Sequence, residues 1–167
     1  MKLVIQIPAY NEQDCISEVL KSIPKNIKGI DEIKIIVLDD CSFDGTSKIA
    51  NEFGVEVCKN STNLGLSYTF LAGIKKALEY KADILVNLDG DNQYCADDIE
   101  KLIQPIINNN FGFHFSCNQC KHKHYDVQST DYDKYSGPTE RVFHEAKHNG
   151  LNVGTHINRP VEYTDNG

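Results

Sequence analysis

Ile33-Lys34-Ile35-Ile36-Val37-Leu38-Asp39-Asp40-Cys41-Ser42-Phe43-Asp44-Gly45-Thr46 joins an apolar run to an abrupt change of chemistry. Apart from Lys34, residues 33–38 are apolar on both faces, as a strand covered by helices on two sides must be. A polar stretch follows. It leads into a helix pattern opened by Asp44 or Thr46, running to Phe53 and closed by Gly54. A fully apolar strand, a polar loop and a helix make the repeating unit of a parallel sheet.

The same unit recurs on both sides. Toward the N-terminus, Leu3-Val4-Ile5-Gln6-Ile7 is a β-rich run ended by Pro8. Residues 12–23 then place Ile16, Val19, Leu20 and Ile23 at helical spacing, with Asn11 as the cap and Pro24 as the stop. Toward the C-terminus, Val55–Cys58 reads as a strand and Leu66–Tyr80 as a helix with Leu71, Ile74 and Leu78 on one stripe. Asp83–Leu88 reads as a central strand, and Ala96–Ile107 as a helix that Pro105 ends early or kinks. Phe111, Phe113 and Phe115 alternate with Gly112 and His114 as in one more strand. Residues 139–149 predict a final helix closed by Gly150, and 157–163 a last extended piece. Alternating strands and helices predict an α/β fold, three layers with a mostly parallel sheet.

At 167 residues, with 40% hydrophobic and 25% charged, the chain allows one globular domain or a domain with an appendage, and excludes two full enzyme domains. Ile, Val and Leu number 32 in residues 1–109 but 6 in residues 110–167, where all six histidines lie. The first segment can build a core; the second reads as a short, sparse appendage leaning on it. A net charge of −7 repels phosphate backbones and argues against nucleic acid as a partner. No apolar run approaches the ~18 residues of a membrane span, and Met1-Lys2-Leu3 runs straight into a strand pattern. The expectation is a cytoplasmic protein able to sit peripherally at a membrane. The six cysteines are scattered, so reduced thiols are expected.

Ligands of parallel sheets bind beyond the carboxyl ends of the strands. Here those ends are polar: Pro8-Ala9-Tyr10-Asn11-Glu12 after the first strand, Asp39–Thr46 after the second, and Asp89-Gly90-Asp91-Asn92-Gln93 after the fourth. Asp39, Asp40, Asp44, Asp89 and Asp91 are expected to converge on one crevice, where like charges call for a cation between them. The oxygen donors Asp89, Asp91 and Gln93 suit Mg²⁺ or Mn²⁺, with a substrate diphosphate completing the shell. One Asp-Gly-Asp by itself is an ordinary solvated turn; three polar strand ends in register carry the reading. Walker A and G-x-G-x-x-G signatures are absent.

Four pieces in order carry a resemblance: Ile7–Glu12, Val37–Thr46, Asn63-Leu64-Gly65 with Gly73 and Ala77, and Leu88–Gln93. From Val4 to Ile107 the chain resembles the nucleotide-sugar half of family 2 glycosyltransferases of the GT-A fold, in particular the dolichyl- or polyprenyl-phosphate mannose and glucose synthase branch. The resemblance implies that Pro8, Tyr10 and Glu12 line a nucleotide pocket and that Asp40 accepts a hydrogen bond from the base. It implies that Asp89 faces the sugar or ribose and shares a metal with Asp91 and Gln93. A carboxylate only accepts, so Asp40 suits an N–H edge such as that of uracil or guanine. The implied activity is inverting transfer of a hexose from a UDP- or GDP-sugar to an acceptor, a polyprenyl phosphate in this branch. A phosphate acceptor is already ionised and requires no strong base.

Residues 110–167 match less fully. Asp126-Val127-Gln128-Ser129-Thr130 resembles the family's D-x-Q-S-G element with Thr130 in place of glycine, which makes Asp126 the candidate base for a hydroxyl acceptor. Arg141 and Arg159 are the only arginines, leaving few residues suited to clamp phosphates. The alternative is therefore a catalytically impaired module that binds a nucleotide sugar or a partner. Cys117, Cys120, His122 and His124 offer zinc donors, but too closely spaced for a closed site, whose ligand pairs are separated by about 12 residues or more. His144 and His148 read as a solvated helix face.

Overall fold

The computed structural model describes residues 1–93 and 96–108 in full, and residues 113–116 and 152–156 as strand backbone. The elements are β1 (Lys2–Ala9), α1 (Ile16–Ser22), β2 (Glu32–Asp39), α2 (Thr46–Glu52), β3 (Glu56–Lys59), α3 (Leu66–Glu79), β4 (Ile84–Asn87), α4 (Asp98–Ile107), β5 (Phe113–Ser116) and β6 (Asn152–His156). The six strands form one sheet in the order β3-β2-β1-β4-β6-β5, and every recorded pairing is parallel. This is the α/β architecture expected, with helices on both faces.

Alternation along β1 divides the core. Leu3, Ile5 and Ile7 pack with Ile16 and Val19 of α1, Ala50 of α2, and Ile99, Leu102 and Ile103 of α4. Val4 faces the other way, with Ile36, Leu38 and Leu85, against Ile74 and Ala77 of α3. Residues two apart share a face, so Gln6, between Ile5 and Ile7, lies on the α3 side.

Several boundaries differ from expectation. β1 does not stop at Pro8 but runs to Ala9. The carbonyl of Gln6 points toward β4, where it accepts the Leu88 N–H at 3.0 Å. Pro8, two residues on, turns the same way, and its missing N–H falls where the β1–β4 ladder, ending at Gln6–Asn87, has already stopped. α1 opens at Ile16 instead of residue 12, after a turn in which the Cys15 and Ile16 N–H groups donate to the Glu12 carbonyl at 3.0 and 2.8 Å. Pro105 sits inside α4, which ends two residues later at Ile107. β6 is an element that the sequence reading passed over. The pattern break at residue 109 falls between α4 and β5, and the sheet takes strands from both sides of it. The expected helix at 139–149 and extended piece at 157–163 lie outside the described residues. Among the described residues, no helix is long and apolar enough to cross a membrane.

Candidate functional site

At the carboxyl ends of β1, β2 and β4 lies a crevice of about 370 Å³. Pro8, Ala9, Tyr10 and Glu12 line it from β1, Asp40 from β2, and Asp89, Gly90 and Asp91 from β4. Asn63, Gly65, Leu66 and Thr69 close it from the start of α3.

The loops after β1 and β2 are built as one unit. Asn11 and Cys41 leave their strands in the left-handed region, with φ of 58° and 67°. Asparagine tolerates this conformation well, cysteine less so, and such strained positions concentrate at functional sites. The Asn11 N–H donates to Ser42 Oγ at 2.9 Å, and Asn11 Oδ1 accepts from the Phe43 N–H at 3.1 Å. Glu12 N–H donates to Thr46 Oγ1 at 2.8 Å, Gln13 N–H to Asp44 Oδ2 at 3.2 Å, and Gly45 N–H to Gln13 Oε1 at 3.0 Å. Asn11 therefore ties the two loops together and does not cap α1. Asp44 does serve the start of α2, its Oδ1 accepting the Thr46 N–H at 2.9 Å.

The expected convergence of five carboxylates is corrected by these contacts. Asp39 and Asp40 are consecutive in an extended chain and point to opposite sides. Asp39, fully buried, accepts from the Ser42 N–H at 2.7 Å and from the Ser47 hydroxyl, and pairs with Lys59 Nζ at 3.3 Å. Asp44 is spent on α2. Neither lines the crevice, whereas Glu12, Asp40, Asp89 and Asp91 do.

Asp40, 4% exposed, grips the loop before α3. Its Oδ1 accepts from Leu64 N–H at 2.9 Å and Asn60 Nδ2 at 2.7 Å, and its Oδ2 from Gly65 N–H at 2.7 Å. Burial pushes its pKa up, but these hydrogen bonds together outweigh it and hold the group below its ordinary 3.8. Asp39 and Asp44 are likewise held low against their burial, by hydrogen bonds from Ser42 and Ser47 and from Thr46 and Gln13. Depressed carboxylates stabilise the fold above their unfolded pKa, and that contribution is lost as pH falls through the folded values, below 3.8. Asp40→Asn should cost about 1 to 2 kcal/mol at pH 7. Its melting temperature should also fall less steeply than the wild type's between pH 4 and pH 2. An unchanged acid slope in melts across that range would mean that Asp40 carries no linked stability.

Glu12 behaves oppositely. Its carboxyl is raised above its ordinary 4.5, first by burial and then by Asp91, Asp44 and Asp89. Gly90 brings the β4 turn close to it: a Cβ at Gly90 would stand 3.2 Å from Glu12 Cγ and 3.4 Å from the Pro8 carbonyl oxygen. Among the described residues, no three His, Cys, Asp or Glu side chains are grouped to hold a metal by themselves. An ion of the Mg²⁺ or Mn²⁺ type that shares its shell with phosphates needs only one or two carboxylates, and this oxygen-only, negatively charged wall fits that requirement. Asp89 Oδ1 accepts from Asn87 Nδ2 at 3.1 Å, and Asp91 Oδ1 from the Gln93 N–H at 3.1 Å. Gln93 itself is exposed and outside the crevice lining. At the mouth, Tyr10 stands edge-on to the exposed Phe43, ring centroids 6.3 Å apart.

A sequence model of the family described as glycosyl transferase family 2 matches residues 4–158. The chain belongs to that family. It is 37% identical over 119 residues to the UDP-N-acetylglucosamine–dolichyl-phosphate N-acetylglucosaminyltransferase of Methanococcus voltae, covering 61% of this chain and 46% of the relative. It is 32% identical over 112 residues to the dolichol-phosphate mannosyltransferase of Pyrococcus furiosus, covering 65% of this chain and 31% of the relative. The family 2 chain thus spans less than half the length of these relatives. Among solved structures, glucosyl-3-phosphoglycerate synthase from Mycobacterium tuberculosis, in complex with Mn²⁺, UDP and its product, superposes with a TM-score of 0.58 at 15% identity, covering 96% of this chain and 74% of that one. That similarity establishes the GT-A fold for the family 2 chain.

Asn63, Gly65, Leu66 and Thr69 are crevice residues to which the sequence reading gave no role. Their signal was the Asn-Leu-Gly turn itself, with Gly65 at φ 86° just before α3. Asp126, Cys117, Cys120, His122, His124, His144 and His148 lie outside the described residues.

Proposed function

We propose that the chain takes part in inverting transfer of a hexose from a UDP- or GDP-sugar to a polyprenyl phosphate at a membrane surface. In this reading residues 1–109 hold the donor and residues 110–167 contribute to the acceptor side. The observation that carries the reading is the packing of Glu12 against the Asp89-Gly90-Asp91 turn, which gathers three carboxylates on one crevice wall in a family 2 chain.

Pro8 and Tyr10 would flank the nucleotide. Asp40, which lines the crevice and is acceptor-only, would accept from an N–H edge of the base beside its hydrogen bonds from Asn60, Leu64 and Gly65. Asp89 and Asp91, which line the crevice, would hold Mg²⁺ or Mn²⁺, without the Gln93 that the sequence suggested. The ion supplies positive charge for the departing diphosphate. Glu12 would add negative charge beside them and orient donor hydroxyls. The names of the two relatives, a dolichyl-phosphate N-acetylglucosaminyltransferase and a dolichol-phosphate mannosyltransferase, support the acceptor class. Asp126 is the base proposed for a hydroxyl acceptor instead.

Calorimetry with UDP- and GDP-hexoses, each with Mn²⁺ and with EDTA, tests the donor site. Release of nucleoside diphosphate on adding polyprenyl phosphate in vesicles tests transfer. The expected result is metal-dependent binding of one donor and acceptor-dependent release. Metal-dependent binding with no release would support the binding-module alternative, which the scarcity of arginine favours. Equal affinities in Mn²⁺ and EDTA would remove the metal from the reading.

A further inference from the structure

Two amides interrupt the apolar centre of the sheet. Gln6 on β1 is 0% exposed and Asn87 on β4 is 6% exposed, and they are direct partners in the β1–β4 register. Gln6 Nε2 donates to Asn87 Oδ1 at 2.9 Å, and Asn87 Nδ2 donates onward to Asp89 Oδ1 at 3.1 Å. The direction of this chain is set from its outer end. A carboxylate only accepts, so Asn87 must turn its NH₂ toward Asp89 and its carbonyl toward Gln6. Gln6 must then present its own NH₂ to Asn87, which leaves Gln6 Oε1 facing α3. That atom is the one buried side-chain polar atom without a partner among the described residues. It lies beneath Gly73, where a Cβ would come within 1.9 Å of it.

An apolar side chain at position 6 would remove the orphaned oxygen, since a buried polar atom left unpaired destabilises a fold. The amide is thus poorly explained by stability, and its remaining output is the orientation of Asp89. We infer that Gln6 and Asn87 are positioning residues, a buried two-amide relay that fixes the Asp89 carboxylate for the metal-bound diphosphate of the donor. This rests on the donor-site reading given above and adds two residues to it, neither of which lines the crevice. Partners that orient a metal-binding carboxylate commonly change affinity by about 10- to 100-fold when removed.

The test uses the full chain, with UDP and GDP as probes. Wild-type protein is titrated first with each nucleotide in Mn²⁺ and in EDTA. If neither shows a metal-dependent affinity, the donor-site reading fails and the relay falls with it. Given such an affinity, Gln6→Met should lower it about tenfold in Mn²⁺ and leave the EDTA value unchanged. Its melting temperature should stay close to that of the wild type, because the orphaned Gln6 oxygen is gone while Asn87 Oδ1 loses its donor. A residue of structural importance alone would instead lower stability and both affinities together. The double variant Gln6→Met/Asn87→Leu leaves neither amide unpaired and covers the case in which a single variant does not fold. Its loss in Mn²⁺ should match that of Gln6→Met, because members of one relay are not additive. Wild-type affinity in Mn²⁺ for either folded variant, or a loss in the double variant well beyond that of Gln6→Met, would overturn the relay.

Discussion

Asp91→Ala is expected to weaken nucleoside-diphosphate binding in Mn²⁺ by about a hundredfold, about 2.7 kcal/mol, while leaving binding in EDTA nearly unchanged. Glu12, Asp89 and Asp91 share a wall of the crevice, and a diphosphate entering without a cation meets only like charge there. Removing Asp91 would take away a proposed ligand and also one of the charges that raise Glu12. The pH dependence should move with it. In the wild type, protonation of Glu12 would remove negative charge beside the proposed ion site, so affinity in Mn²⁺ should rise with pH through a range above 4.5. In Asp91→Ala that rise should shift to lower pH. Titration calorimetry between pH 4 and pH 7 reads both effects, and a profile identical in the two proteins would show that Asp91 and Glu12 do not share a site.

Gly73→Ala should lower the melting temperature by about 6 to 12 °C, the equivalent of about 3 kcal/mol in a chain of this length. Helix propensity alone predicts the opposite sign, since alanine in a helix is favoured over glycine by about 1 kcal/mol. Packing decides. The new methyl would stand 1.9 Å from Gln6 Oε1 and 2.6 Å from Leu38 Cδ1, both under the helix, and α3 would have to lift from the sheet to admit it. Thermal melts at neutral pH measure this directly, and an unchanged or raised midpoint would mean that α3 shifts at no cost.

How much of this was legible in the residues depended on whether local chemistry or distant contacts decided the outcome. β2 is apolar from Ile33 to Leu38 except at Lys34 and was readable to within a residue at each end, as was α3, whose stripe of Leu71, Ile74 and Leu78 is strongly periodic. The first helix was drawn four residues too early because Asn11 looks like a cap. Its side chain is instead committed across the loop to Phe43, a partner 32 positions away that no local pattern announces. Pro8 looked like a stop because the sequence does not reveal where β4 ends. At the site, the polar strand ends were plain, yet sorting Asp39 and Asp44 from Asp40 required knowing which way each points. Gln6 and Asn87 did leave a signal, a single amide inside each of two apolar runs, Leu3–Ile7 and Ile84–Leu88. Its meaning appears only when register sets the two side by side.

The order of strands has a bearing on how the chain reaches this state. β6 lies between β4 and β5, although it follows both along the chain. While the polypeptide is still being synthesised, β4 is complete long before its permanent neighbour exists, and its outer edge offers unpaired N–H and C=O groups to whatever comes next. The first strand to arrive is β5, which belongs one place further out. The strand order therefore leaves open to a nascent chain a competing arrangement in which β5 occupies the slot of β6. Late, non-local insertion of this kind is slow in general and prolongs exposure of a bare sheet edge.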